Sequence, residues 1–231
     1  MAVTLKYHGH ACFSMAAEGH RIIMDPFITG NPQAVEELCD IDVDVVLVSH
    51  AHSDHLGDGI EMAKQCNALL IATYEVALYA GRHGVEDVRP MHIGGRADLG
   101  FATVKLTVAH HSSSIVTDDN IQMLGAASGF IVTMGGRRLY YLGDTALCAD
   151  LELLGRLNDF DAATIPIGDT FTMGIEDGII AAQLIGAKLN IPMHFDTFPV
   201  IAADPHEFVR GLEAEGLGGR VMAPGEEIEL P

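Results

Sequence analysis

The sequence predicts a layered α/β protein, a sheet-rich sandwich with helices on the outside. Three observations predict it. Short strand-like runs recur along the 231 residues, and several follow one another directly. Stretches with helical spacing separate others. Residues 43–48 (Val-Asp-Val-Val-Leu-Val) are almost continuously apolar, the mark of a strand buried on both faces. Strands that succeed one another without an intervening helix fit a sandwich better than a doubly wound parallel sheet.

The elements follow in order. Residues 3–7 and 11–15 alternate as strands do, and residues 21–24 form a short apolar run that ends at Asp25-Pro26. After the buried strand at 43–48, helices are expected at 59–66 and 75–83, with a strand at 69–72 between them. Strands are expected at 103–109, 129–134 and 139–142, then a helix at 147–157. A strand at 162–167, the longest helix at 175–189 and a strand at 191–195 complete the pattern. The last helix, 205–215, is well marked: Asp204 can cap it, Pro205 suits its first turn and Glu207 stands at the capping-box position. No linker, repeat or low-complexity stretch marks a boundary, so residues 1–231 are expected to form one domain.

Composition narrows the function. Hydrophobic residues make up 48% and charged residues 19%, ordinary values for a folded protein. The charge is unusual: 13 Lys and Arg against 32 Asp and Glu leave −19. Such a surface repels phosphate backbones and anionic lipid. Nucleic acid and membrane are therefore not expected as partners, and a small molecule is. Cys12, Cys39, Cys66 and Cys148 are scattered, which suits free thiols in a reducing compartment. The opening Met-Ala-Val-Thr-Leu-Lys has no basic stretch followed by an apolar one, so a cytoplasmic location without signal peptide is expected. The apolar stretches in 69–80 and 175–189 could cover a homo-oligomer interface or simply the core.

The chemistry is carried by His and Asp at strand ends. His50-Ala51-His52-Ser53-Asp54-His55 directly follows the buried strand. Four ligand-type side chains lie within six residues, and a turn there can aim His50 and His52 one way and Asp54 and His55 another. Imidazole and carboxylate suit Zn²⁺, Mn²⁺ or Fe²⁺, and the spacing suits two ions better than one. Three further strands end in such residues: His110-His111 after 103–109, Gly143-Asp144-Thr145 after 139–142, and His194 after Ile191-Pro192-Met193.

His-x-His-x-Asp-His, then His, then Gly-Asp-Thr, then a late His resembles the metallo-β-lactamase superfamily. Tyr7-His8-Gly9-His10-Ala11, Asp25-Pro26-Phe27, Pro166-Ile167-Gly168-Asp169, Phe171-Thr172-Met173-Gly174 and His194-Phe195-Asp196-Thr197-Phe198-Pro199 are similar to one branch of it. That branch comprises small metal-dependent hydrolases related to the ascorbate-6-phosphate lactonases, and the resemblance runs from about residue 3 to 230. It implies an αββα sandwich with two divalent ions at one edge of the sheets, Zn²⁺ first, with Mn²⁺, Fe²⁺ or Ni²⁺ as alternatives. By position, His50, His52 and His111 would hold one ion, and Asp54, His55 and His194 the other, with Asp144 bridging. His111 is preferred to His110 because the ligand in this family directly precedes a Ser pair, here Ser112-Ser113.

The expected reaction is hydrolysis of a small-molecule ester, lactone or phosphoester by a hydroxide held between the ions, with Asp54 and Asp144 as the catalytic carboxylates. His10, Asp25, Asp169 and Thr197 are expected to touch either the ligands or the substrate. Asp25 is expected to accept backbone N–H groups, Asp169 to orient a ligand or a substrate hydroxyl, and Thr197 to donate to substrate. Phe171 and Met173 fit either pocket or core. A non-catalytic metal-bound binding or regulatory protein on the same fold is the alternative. A diiron redox protein is disfavoured, because His52 stands where such relatives carry a carboxylate.

Overall fold

The computed structural model describes residues 2–231. Among these residues the chain runs β1 (Thr4–Gly9), β2 (Cys12–Ala17), β3 (His20–Met24), β4 (Val45–Val48), α1 (Ser53–Leu56), α2 (Gly59–Cys66), β5 (Leu69–Thr73), α3 (Tyr74–Arg82) and β6 (Val88–Met91). It continues through β7 (Arg96–Asp98), β8 (Ala102–Val108), β9 (Ser114–Thr117), β10 (Asn120–Met123), β11 (Ser128–Met134), β12 (Arg137–Tyr141) and α4 (Asp150–Leu157). It ends with β13 (Ala162–Pro166), α5 (Ile175–Ile185), β14 (Leu189–Met193), α6 (Pro205–Ala214) and β15 (Glu227–Glu229).

Two mixed sheets pack face to face, one in the order β15-β1-β2-β3-β4-β5-β6 and the other β14-β13-β12-β11-β8-β7. Strand alternation builds the layers. Leu5, Phe13, Met15, Val45 and Leu47 of the first sheet meet Val104, Phe130, Val132, Leu139 and Tyr141 of the second in a shared core. The opposite faces are covered too. Val46, Val48 and Leu70 pack under Met62, Ala63, Val76 and Ala80 of α2 and α3. Tyr140 and Ile165 pack under Leu151, Ala181, Ile185, Phe208 and Leu212 of α4, α5 and α6. The result is helices, sheet, sheet, helices. All four residues of β4 are buried, as its continuous apolar run predicts.

The strand directions position the site. In the second sheet β8 and β12 both run antiparallel to β11, and β13 and β14 run parallel to β12. So β8, β12, β13 and β14 point the same way, and the residues that follow them gather at one edge. In the first sheet β3 and β4 are parallel, so Asp25 and Ser49 leave it side by side.

The structure corrects some element boundaries. The helix expected at 175–189 stops at Ile185, because Gly186 takes a left-handed conformation (φ 67°) and closes it by donating to Ala182 O. The helix expected at 147–157 begins only at Asp150. α6 is capped as expected, with Asp204 accepting from the His206 N–H at 2.9 Å. The short strands β6, β7, β9, β10 and β15 are additional to the sequence expectation. Among the described residues no helix is long and apolar enough to cross a membrane.

Candidate metal centre

The seven side chains expected as ligands come together at the edge where the two sheets open. β4 delivers Ser49 and His50, His52 precedes the first turn of α1, and that four-residue helix carries Asp54 and His55. β8 leads to His111, β12 to Asp144 and β14 to His194.

Two groups of donors form. In one, His50 Nε2 lies 3.0 Å from His52 Nδ1, which lies 3.2 Å from His111 Nε2. In the other, Asp54, His55 and His194 converge, joined by His10. One oxygen, Asp144 Oδ2, faces both. It lies 3.1 Å from His194 Nε2, 3.2 Å from His55 Nε2, 3.6 Å from His111 Nε2 and 4.0 Å from His50 Nε2. His110 stays outside, exposed, with its Nε2 3.6 Å from Asp150 Oδ2.

The electrostatics are those of a cation site. Burial, with His55 nearby, pushes the His50 imidazole well below its usual range and keeps it neutral, the form that donates a lone pair. Burial lowers His52 and His111 as well. On the other side burial opposes charge but loses. His55 and His194 hold the Asp144 carboxyl well below the usual range against the penalty of burial. Asp144 and Asp54 raise His55 in the same way, and burial notwithstanding, Asp144 pushes His194 up to about 9. The pair of carboxylates draws positive charge to one point.

The donor set also has unused capacity. Asp144 Oδ1 and His55 Nε2 are buried and make no aligned hydrogen bond. An unsatisfied buried polar atom costs about 1–3 kcal/mol, and a coordinated cation would satisfy His55 Nε2, which faces the carboxylates of Asp54 and Asp144. Neutral imidazoles with two carboxylates are the donor chemistry of Zn²⁺ and its neighbours, so the residues present fit divalent ions.

Behind these candidate ligands, Asp25 is the organising group. It accepts the Ser49 N–H at 2.7 Å, as expected for a buried carboxylate beside the loop. The Ser49 hydroxyl also donates to it, and Tyr141 Oη donates at 2.7 Å. His55 Nδ1 lies 2.7 Å from the same Asp25 oxygen. This places a proton on His55 Nδ1, so Nε2, the nitrogen that faces Asp144, is the one that would be offered to a cation. Because the Ser49 hydroxyl proton goes to Asp25, its oxygen accepts from His50 Nδ1 at 2.9 Å. One carboxylate thus sets the hydrogen bonding of two candidate ligand histidines, directly and through a serine.

His10 is held from both ends. Thr197 Oγ1 lies 2.8 Å from Nδ1, and Asp54 Oδ2 lies 3.1 Å from Nε2. Burial lowers the His10 pKa to about 4, so the ring is neutral. A neutral ring that faces a carboxylate carries its proton on Nε2 and accepts the Thr197 hydroxyl at Nδ1. Thr197 is therefore spent on His10 and buried, and the expectation that it donates to substrate is corrected. Asp169 is also corrected. It follows β13 into a left-handed turn (φ 58°), its carboxylate accepts the Thr170 N–H at 2.8 Å, and it lines a separate hollow with Glu176, Asp177 and Glu207. Met173 belongs to the core under α5, while Phe171 is on the rim of the site.

Tyr141 and Ser49 are the supporting residues that the sequence reading missed. A usable signal exists for Tyr141: it shares the inner face of β12 with Leu139, where a buried hydroxyl needs a partner. Three residues at the centre also carry backbone strain. His10 (φ 58°), Asp25 (φ 46°) and His194 (φ 57°) are left-handed without being glycine, at a cost on the order of 1–3 kcal/mol each.

The centre opens into a cavity of about 850 Å³. Its lining combines His52, Asp54, His111, Asp144 and His194 with the apolar side chains of Leu56, Ile60, Tyr79, Ile115 and Val116, and with Lys64 and His83.

A family model described as a beta-lactamase superfamily domain matches residues 4–194. A UPF0173 metal-dependent hydrolase of Geobacillus sp. (strain WCH70) is 48% identical over 225 residues, which covers 97% of this chain and 98% of the relative. Another from Geobacillus thermodenitrificans (strain NG80-2) is 47% identical over 227 residues, with 98% and 99% covered. Among solved structures, Igni18, a metallo hydrolase from the hyperthermophilic archaeon Ignicoccus hospitalis KIN4/I, superposes with a TM-score of 0.91 at 34% identity, covering 100% of this chain and 99% of its own. A match of this length, on a sandwich whose strand ends gather these His and Asp side chains, makes the chain a member of the beta-lactamase superfamily and, within it, of the UPF0173 metal-dependent hydrolases.

Proposed function

We propose that this protein hydrolyses a small carboxylic ester or lactone with two divalent ions bound in the centre. One observation carries the reading: Asp144 Oδ2 faces the His50, His52 and His111 group and the Asp54, His55 and His194 group at once. His50, His52 and His111 would hold one ion, and Asp54, His55 and His194 the other, with Asp144 shared. Zn²⁺ fits this donor set, as do Mn²⁺, Fe²⁺ and Ni²⁺. Bound there, the ions would supply Lewis acidity, activating water and polarising the substrate oxygen.

The chain's own residues do the rest. Asp54 Oδ2 offers an acceptor in the lining of the cavity, and the His10 Nε2–H holds that oxygen in place. Asp25, through His55 and Ser49, keeps two ligand rings aimed inward. Leu56, Ile60, Ile115 and Val116 line the cavity with apolar surface that can hold the organic body of a substrate. That lining supports an acyl chain or lactone ring rather than a phosphorylated sugar. Lys64, which could meet a distant anion, is already paired with Glu61 at 2.9 Å.

The test is metal content of protein purified without chelator or tag. About two equivalents of transition metal per chain, falling toward one in His194→Ala, are expected, together with hydrolysis of p-nitrophenyl acetate or a simple lactone by the loaded protein. Metal near zero that added Zn²⁺ or Mn²⁺ does not restore would overturn the reading. Full metal content with no hydrolysis of any ester, lactone or phosphoester would turn it into the non-catalytic alternative.

A further inference from the structure

We propose that His110, Cys148 and Asp150 form a third metal site, peripheral to the centre, that takes a thiophilic divalent cation of the Zn²⁺ type. One donor atom from each of the three side chains lies within 4.8 Å of the others, and His110 Nε2 is 3.6 Å from Asp150 Oδ2. A thiolate, an imidazole and a carboxylate are a three-ligand set that Zn²⁺ accepts, with a fourth position left for water. The set belongs to neither group of the centre described above, and the proposal goes beyond the hydrolase reading without resting on it.

The sulfur is what distinguishes this cluster. Cys12 is buried in the core, and Cys39 and Cys66 belong to none of the donor clusters among the described residues. Cys148 alone sits with both a histidine and an aspartate. It lies two residues before α4, half-buried like Asp150 and beside the exposed His110, so the cluster is open to an ion from solvent. Burial raises the Cys148 thiol, while the backbone N–H groups of Asp150 and Leu151 pull the other way, as they would favour a thiolate. Binding is an exchange: the thiol proton leaves to solvent as the sulfur–metal bond forms.

The position gives the site a purpose. His110 immediately precedes His111, and Cys148 follows Asp144 by four residues. The two segments are already stitched together: the His110 N–H donates to Thr145 Oγ1 at 3.0 Å, and the Ala146 N–H donates to His110 O at 3.4 Å. A cation across His110, Cys148 and Asp150 would clamp the segment that carries His111 to the segment that carries Asp144. It would act as a brace on the centre and take no part in the reaction.

Cobalt(II) makes the site visible. The seven residues of the centre include no cysteine, so a near-ultraviolet thiolate-to-cobalt charge-transfer band can only come from elsewhere. Co²⁺ would be titrated into the full-length protein on a Cys39→Ser background, which removes the exposed thiol. The expected result is a band whose final intensity corresponds to one thiolate–cobalt bond per chain, which disappears in Cys148→Ser and persists in His194→Ala. His110→Ala and Asp150→Ala should each weaken the affinity by more than the ~10- to 100-fold that follows loss of a partner behind a ligand. After loading with excess Zn²⁺ and removal of free metal, the protein should hold about three equivalents, one beyond the two of the centre, and Cys148→Ser about two, with the circular dichroism of the fold unchanged. Absence of the band in the folded parent would overturn the proposal. So would a band that survives Cys148→Ser, or one whose affinity neither His110→Ala nor Asp150→Ala alters, since that would be a lone thiol binding metal adventitiously.

Discussion

His55 Nδ1 lies 2.7 Å from Asp25 Oδ2, and neither side chain is exposed to solvent. Asp25 receives protons from four directions: the Ser49 N–H, the Ser49 hydroxyl, Tyr141 Oη and His55. An amide in its place would turn one acceptor oxygen into a donor and face it toward donors. Asp25→Asn is therefore expected to weaken metal affinity by about 10- to 100-fold, the usual consequence of losing the carboxylate behind a ligand histidine. Competition with a chromogenic chelator measures this, and unchanged affinity in a folded variant would show that Asp25 does not orient His55.

Tyr141 offers a test of stability. Its hydroxyl lies 2.7 Å from Asp25 Oδ2 and 2.9 Å from Ala11 O, and the ring is fully buried between the sheets. Phenylalanine keeps the packing and removes only the hydrogen bond to a charged group. That bond contributes about 2 kcal/mol, and in a chain of this length Tyr141→Phe should lower Tm by roughly 4–8 °C. Thermal unfolding followed by circular dichroism checks it; a loss under about 1 °C would mean that the hydroxyl contributes nothing net.

Gly168 explains part of the Pro-Ile-Gly-Asp stretch after β13. A Cβ there would press into the backbone carbonyl of His194, which itself sits in a strained left-handed conformation. The chain cannot give way, because His194 N–H donates to His10 O at 2.8 Å and Ile167 N–H donates to Met193 O at 3.1 Å. Gly168→Ala is expected to destabilise by about 1–3 kcal/mol and to lower metal content toward one equivalent, because His194 is the side chain that moves. Retention of both equivalents would show that the contact relaxes without disturbing His194.

Much of this arrangement is legible in the sequence because strand direction makes it so. Four strands of the second sheet run the same way, so an apolar run followed by His or Asp marks the same edge each time. The rule fails at Asp169, which also follows such a strand but turns away into the tight loop it forms with Thr170 and Met173. Conformation at single residues is what sequence pattern does not carry. Nothing in the order of residues announces that His10, Asp25 and His194 are left-handed, since a tertiary network holds them there. The missed strands have local causes. β6 lies at the edge of its sheet and contains Pro90 and Arg89. In the hairpin β9–β10, strand β10 alternates Ile121 and Met123 with Asn120 and Gln122 and leaves them all exposed, so that strand has no buried face to betray it.

Thr197 separates two roles for His10. Thr197→Val keeps the volume and removes the hydroxyl 2.8 Å from His10 Nδ1, so the ring loses what fixes its tautomer toward Asp54. None of the seven proposed ligands changes. Metal content should hold at about two equivalents while kcat falls by about tenfold, the lower end of the effect of losing such a partner. Loss of metal instead would make His10 a prop for the ligands rather than for the oxygen of Asp54.

The cavity predicts how rate depends on the substrate's length. Leu56, Ile60, Ile115 and Val116 line the same cavity as Asp54 and Asp144, so each methylene of an acyl chain that packs on them moves apolar surface out of water. At about 0.8 kcal/mol per methylene, kcat/KM for a series of p-nitrophenyl esters from acetyl upward should rise up to about fourfold per carbon until the cavity is filled. Ile60→Asp places a charge in the wall and should flatten that rise while leaving the acetyl ester nearly unaffected, since the short chain does not reach it. A parent enzyme with no chain-length dependence would assign the cavity to something other than the acyl chain. A variant that loses the acetyl ester equally would show that Ile60 supports the centre rather than the substrate's far end.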